Sequence, residues 1–359
     1  MLRTILLVMT LVSGAQAGWA ADQAPRAVTT YKAPRGADGH PSLDGIWSNA
    51  SITRLERNPR YGADLSLSED EVHGIEAKNQ KLIDLGNRAT DPNAKVTDLP
   101  ADCSDGRGTN CNYNAAWTDP GAAVMRVAGR GRNGFITTPQ DGRVPMRKDV
   151  PQGPREGRTR MPGAGPSDHP ESRSLGERCI LAFGTSSGPV MSPGLYNNTY
   201  QFVQTREQVA IVVEMVHDTR IVRLNAKHRT DGVRTFMGDS IGWWEGETLV
   251  VETTNFHPEQ IFRGASGSLK VTERFTQVSA QRMHYGFWVE DPTVFSQPWG
   301  GEYEFSRLSG QIYEYACHEG NYGLANILSG ARAEERTGVK TAPTNIDQNA
   351  APDEEGEES

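Results

Sequence analysis

The chain is predicted to be mainly β: an antiparallel up-and-down meander with a short N-terminal helix, long irregular loops and a C-terminal helix. Three observations lead there. From Tyr196 onward, strand-length segments alternate apolar and polar residues, the two-residue period of a half-buried strand. Short turns such as Glu245-Gly246-Glu247 separate those segments. Before Tyr196 there is one helical signature and a long stretch without apolar periodicity.

Residues 1–21 read as a cleavable secretory signal. Arg3 is the positive start, Ile5 to Val12 the apolar run, and Ala15-Gln16-Ala17 the small-x-small cut. The run is far shorter than the roughly 20 residues needed to span a bilayer. A secreted or periplasmic protein with no transmembrane segment is expected. The formal charge is −8, and Asp353, Glu354, Glu355, Glu357 and Glu358 crowd one end. The body is therefore only mildly acidic, which argues against a nucleic-acid partner. Residues 337–359 are expected to be a disordered acidic tail.

Between these ends, 22–37 reads as an extended lead-in and 38–336 as a single β-rich domain. Ser42 to Trp47 offers a turn and a strand start. Ser68-Glu69-Asp70-Glu71 is a capping box, and Val72, Ile75 and Leu82 follow at helical spacing, predicting a helix over 69–85. Residues 87–195 are rich in Gly, Pro, Asn and Arg and read as a long loop-rich insertion. Within it, 126–160 holds eight arginines and Lys148 against Asp141, Asp149 and Glu156. That excess either attracts an anionic partner or belongs to loops pinned by ion pairs; the second is favoured.

The strands follow. Val209, Ile211, Val213 and Met215 alternate with Ala210, Val212, Glu214 and Val216, and Ile221 to Leu224 comes after a polar break. Thr248 to Thr254 is a strand, Leu269, Val271, Glu273 and Phe275 share a face, and Met283, Tyr285, Phe287 and Val289 share another. Tyr303 and Phe305 precede Arg307, Ile312 to Cys317 is read as the last strand, and a helix is expected around 324–335. Four cysteines in an oxidising compartment suggest two disulfides. Of the three pairings, Cys103–Cys111 with Cys179–Cys317 is preferred.

Several blocks carry a resemblance. Tyr196-Asn197-Asn198-Thr199-Tyr200-Gln201, Glu214-Met215-Val216-His217-Asp218-Thr219-Arg220, Met237 to Ser240, Trp244 to Phe256 and Tyr313 to Tyr322 resemble a family of secreted bacterial proteins to which no reaction is attached. The likeness covers 196–335 and the leading 38–47, and it transfers no catalytic role. Gly45-Ile46-Trp47 is similar to the Gly-x-Trp that opens the first strand of lipocalin-like barrels. There the Trp closes the barrel floor beneath an arginine from near the last strand, and Arg307 is the match. The resemblance implies a closed barrel.

Histidine is the default group titrating near neutral pH. His217, with Asp218, Glu214 or Glu319 beside it, and His318, expected to be held by the Cys179–Cys317 bridge, are the acid/base candidates. The competing structural roles are a hairpin cap for His217 and a plain hydrogen bond for His318. Glu214, Arg220, Tyr200, Trp244, Glu252, Trp288 and Tyr322 are the candidate substrate-binding residues. A carboxylate facing the lumen must be paired, so the facing of Glu214 and Glu252 decides their standing. No organic cofactor is expected; His217, His318 and Glu214 or Asp218 are the subsidiary divalent-metal set, without diagnostic spacing. These residues suggest a lyase, isomerase or hydrolase acting on a small, mostly apolar molecule in a β-barrel. The alternative is a non-catalytic lipocalin-like binding protein. Convergence of His217, His318 and a carboxylate favours the enzyme, and their dispersal favours the binder.

Overall fold

A computed structural model describes residues 23–86, 121–150, 165, 167–182, 188–194, 197–259 and 262–338. The segment expected to be a signal, the expected Cys103–Cys111 bridge and most of the tail expected to be disordered lie outside them.

The chain enters along the outer wall of the sheet. Gly286 is where it crosses, because a Cβ there would meet the Pro25 carbonyl oxygen at 2.2 Å. Strand β1 (Gly45–Ser48) follows, and helix α1 spans Glu69–Gly86. Its capping box closes reciprocally: the Glu71 amide donates to Ser68 Oγ at 3.3 Å and the Ser68 amide to Glu71 Oε2 at 2.7 Å. Val72 anchors the helix in a satellite cluster with Leu67 and Val124. Short strands β2 (Arg126–Val127), β3 (Arg130–Gly131) and β4 (Ile136–Thr138) lie inside the stretch expected to be loops. Four of the described arginines there are pinned. Arg126, Arg132, Arg143 and Arg147 pair with Glu69, Glu302, Glu56 and Asp149.

The remaining strands are β5 (Thr199–Gln204), β6 (Gln208–Val213), β7 (Thr219–Leu224), β8 (Asp239–Glu245), β9 (Thr248–Thr254), β10 (Lys270–Ser279), β11 (Arg282–Glu290) and β12 (Trp299–Leu308). They pair in the order β1-β5-β6-β7-β8-β9-β10-β11-β12, and β1 also pairs with β12, closing a nine-stranded barrel. On the β12 edge, β1 takes residues 306–308 and β4 takes 300–301. The protein is thus mainly β, and its barrel fits a lipocalin-like architecture. Closure leaves no long free edge.

Gly45, Trp47 and Arg307 explain the closure locally. The Arg307 guanidinium carbon lies 4.3 Å from the centre of the fully buried Trp47 ring. It also donates from Nε to the Ala280 carbonyl at 3.1 Å and from Nη1 to the Asp44 carbonyl at 3.2 Å. Gly45 has φ 135°, and a Cβ there would meet Arg307 Nη1 at 2.5 Å. Only glycine suits that backbone and that close approach.

Two expectations need correcting. The meander is not wholly antiparallel, because β7 and β8 run parallel, with Val222 opposite Ser240. The crossover 225–238 carries the chain outside the barrel between them. Ile312 to Cys317 is not a strand. The β12 edge is already occupied, and the Tyr313 amide donates instead to Glu214 Oε2 at 3.0 Å. Cys179 and Cys317 are bridged, with Cα atoms 5.7 Å apart. Helix α2 (Tyr322–Thr337) ends at Gly338, whose left-handed backbone (φ 69°) lets its amide donate to the Glu334 carbonyl. Among the described residues no helix is long and apolar enough to cross a membrane.

Candidate functional site

The lumen is built by strand alternation. Tyr200 and Phe202 of β5, Ile211 and Val213 of β6, Val251 of β9, Val271 and Phe275 of β10, and Tyr285 and Phe287 of β11 are all buried inward. Two charges interrupt this wall. Arg220 of β7 and Glu273 of β10 are 2% and 0% exposed and meet in a two-pronged ion pair, the second contact being Nη2 to Oε1 at 3.1 Å. Burial acts to lower the Arg220 pKa, but the field and hydrogen bonds of Glu273 outweigh it and leave it raised. The guanidinium is therefore permanently charged. Tyr285 donates its hydroxyl to Glu273 Oε1 at 2.9 Å. Burial pushes the Tyr200, Tyr285 and Tyr303 hydroxyls up, so all three stay protonated donors.

A segment of the chain plugs this polar centre. Residues 188–194 enter the barrel, and Val190 and Met191 are fully buried. Met191 makes four contacts. Its amide donates to Tyr285 Oη at 3.2 Å, its carbonyl accepts from the Tyr303 hydroxyl and from Asn49 Nδ2 at 3.5 Å, and its sulfur lies 3.7 Å from Arg220 Nη2. Asn49 Nδ2 is also 3.3 Å from Tyr200 Oη and 3.1 Å from Tyr303 Oη, while its Oδ1 and Arg220 Nε have no hydrogen-bond partner among the described residues. Trp47, Tyr200, Phe275, Tyr285, Tyr303 and Phe305 are fully buried, so no water-sized void adjoins them. Residues 188–194 occupy the part of the lumen that these side chains line.

No family model, curated protein or solved structure matches the chain. The site has to be read from its own chemistry.

The predicted residues fall in separate places. Tyr200 and Arg220 are in the lumen. Glu214 is on the rim, where its carboxylate accepts from Asn197 Nδ2 at 2.8 Å and from the Tyr313 amide. Asp218 Oδ2 accepts from the Ala182 amide at 3.0 Å. His217 is exposed in a tight turn beside Val216, both in the left-handed region (φ 47° and 59°). Its Nδ1 lies 3.0 Å from the Tyr315 carbonyl, which fixes that nitrogen as the protonated one. His318, Glu319 and Tyr322 are exposed. A cleft of about 1110 Å³ runs along this rim, lined by Ile46, Glu214, Leu308, Tyr313, Tyr315 and Glu319 among others. Trp244 stacks on His40 with ring centres 5.2 Å apart, and Trp288 packs on Ala24 outside the barrel.

Glu252 faces outward and joins a second cluster. His228, on the crossover, places Nδ1 3.0 Å from Asp239 Oδ2 and Nε2 3.2 Å from Glu252 Oε1. Lys270 Nζ lies 2.8 Å from Glu252, and Arg223 Nη2 lies 2.7 Å from Asp239. Burial pulls the His228 pKa down, and the two carboxylates overcome it and raise it. Among the described residues no group of His, Cys, Asp or Glu is arranged to hold a metal ion.

Sequence reasoning did not select Glu273, Tyr285, Tyr303, Asn49 or Met191 as site residues. For Glu273 the signal was present: it shares a face with Val271 and Phe275, so an inward carboxylate needed a cation. Met191 had none, since its segment lacks periodicity.

Proposed function

We propose that the protein is a secreted or periplasmic binding barrel that holds a small, mostly apolar molecule in its lumen. The observation that carries this reading is the Arg220–Glu273 pair, ringed by three tyrosines and Asn49 on the barrel's inner face. A buried ion pair is poor support for stability, since well-packed apolar residues do as well or better there. With 188–194 withdrawn, the lumen would be a mostly apolar pocket with a few convergent polar groups, the usual form of a small-molecule site. The Cys179–Cys317 bridge supports an oxidising compartment. The binder is preferred to the acid/base enzyme because the Glu214 and Asp218 carboxylates are occupied by amide donors, and His217 and His318 lie exposed at the rim.

The test is titration with N-phenyl-1-naphthylamine, a neutral apolar fluorophore. Saturable binding of one dye per chain is expected, tighter in Met191→Ala and unchanged in His217→Ala and His318→Ala. Absence of saturable binding in both the wild type and Met191→Ala would refute the reading. Loss of binding in the histidine variants alone would move the site to the rim.

A further inference from the structure

We propose that Met191 stands in for the ligand, and that the barrel takes a neutral, amide-bearing molecule with an unbranched apolar or thioether tail. This rests on the lumen being the binding site. The contacts of Met191 define what an occupant must offer. Tyr285 Oη receives an N–H, Tyr303 and Asn49 donate to a carbonyl, and a soft, weakly accepting atom sits against Arg220. The donor and the acceptor flank one Cα and belong to two successive amide planes, which describes an N-acylated amino-acid amide. The sulfur contact and the surrounding rings describe a flexible apolar tail.

Charge selects the neutral class. Arg220 and Glu273 are the fully buried inward-facing charges of the described barrel strands, and each neutralises the other. An anion placed beside them would bring an uncompensated charge into a desolvated interior, which is strongly unfavourable. It could displace Glu273 from Arg220 only by leaving that carboxylate buried without its cation. A neutral amide replaces the contacts of Met191 one for one and leaves the ion pair intact. Because ligand and plug use the same partners, binding requires 188–194 to withdraw.

The experiment compares N-acetyl-L-methionine methylamide with N-acetyl-L-methionine, its anionic counterpart, at pH 7.5. Each competes with N-phenyl-1-naphthylamine on Met191→Ala. Amide hydrogen exchange of 188–194 is followed in the wild type, which keeps the test independent of how well the variant folds. The methylamide is expected to displace the dye at least tenfold more tightly than the acid and to speed exchange across 188–194. Equal or tighter binding of the acid overturns the ligand class while dye binding leaves the lumen site standing. Dye displacement by the methylamide without faster exchange of 188–194 overturns the mimicry. Failure of the dye itself to bind either protein removes the lumen site and this inference together.

Discussion

At the scale of single residues, the pair Arg220 and Glu273 sets the chemistry of the interior. Removing one partner leaves the other charged and buried, so Arg220→Met should lower stability by about 3–5 kcal/mol in urea unfolding. The double variant Arg220→Met/Glu273→Leu should recover most of that loss. A single variant as mild as a surface change would mean that the pair is open to water. Gly45→Ala tests the floor. Its φ of 135° and the adjacent Arg307 guanidinium disfavour any side chain, so a loss of about 1–3 kcal/mol is expected, read as a lower midpoint in thermal unfolding. The Trp47–Arg307 contact was legible in the sequence because the Gly-x-Trp resemblance named both partners. Glu273 was legible as an inward carboxylate, but its cation was not. Strand parity tells which face a residue takes, whereas the register that brings β7 across from β10 depends on closure of the whole barrel.

At the scale of elements, the crossover 225–238 is the part that sequence periodicity could not see. Alternation identifies β7 and β8 equally well whether they run parallel or antiparallel. The polar segment between them gives no direction. His228 fastens this crossover to the wall by its contacts with Asp239 on β8 and Glu252 on β9, while Arg223 of β7 and Lys270 of β10 hold the same carboxylates. The folded pKa of His228 lies above its ordinary value of 6.5. Its contribution to stability is therefore complete below about 6.5 and fades as pH rises through the folded value. Asp239 and Glu252 are shifted down. Burial acts against that direction, and for Asp239 the Arg229 amide, His228 and Arg223 outweigh it, as His228 and Lys270 do for Glu252. Their contribution is present above the ordinary carboxylate range and fades as pH falls through their folded values. Stability of the wild type relative to His228→Gln should accordingly decline from mildly acidic to alkaline pH. A flat difference across that range would show that the imidazole does not titrate in the clip. The misread Ile312 to Cys317 teaches a related lesson: alternation marks a potential strand, but a strand needs a free edge, and β12 has none left there.

At the scale of the whole molecule, one barrel, a helix after its first strand, a helix after its last and one long-range bridge make up the described residues. Cys179 and Cys317 are 138 residues apart in sequence, so the bridge restricts a very long loop of the unfolded chain. Cys179→Ser/Cys317→Ser should lower stability by about 2–5 kcal/mol, with the urea midpoint of the wild type falling similarly under reducing conditions. The β class, both helices and this bridge followed from period, caps and compartment. The plug did not, because 188–194 acquires its place only once nine strands surround it. Its place in the lumen makes the decisive measurement structural. Crystals of the wild type grown with N-acetyl-L-methionine methylamide should show the methylamide between Tyr285, Tyr303 and Asn49, with Met191 withdrawn from the barrel and Arg220 still paired to Glu273. The methylamide seated in the rim cleft near Tyr313, with Met191 undisturbed, would contradict a binding site in the lumen.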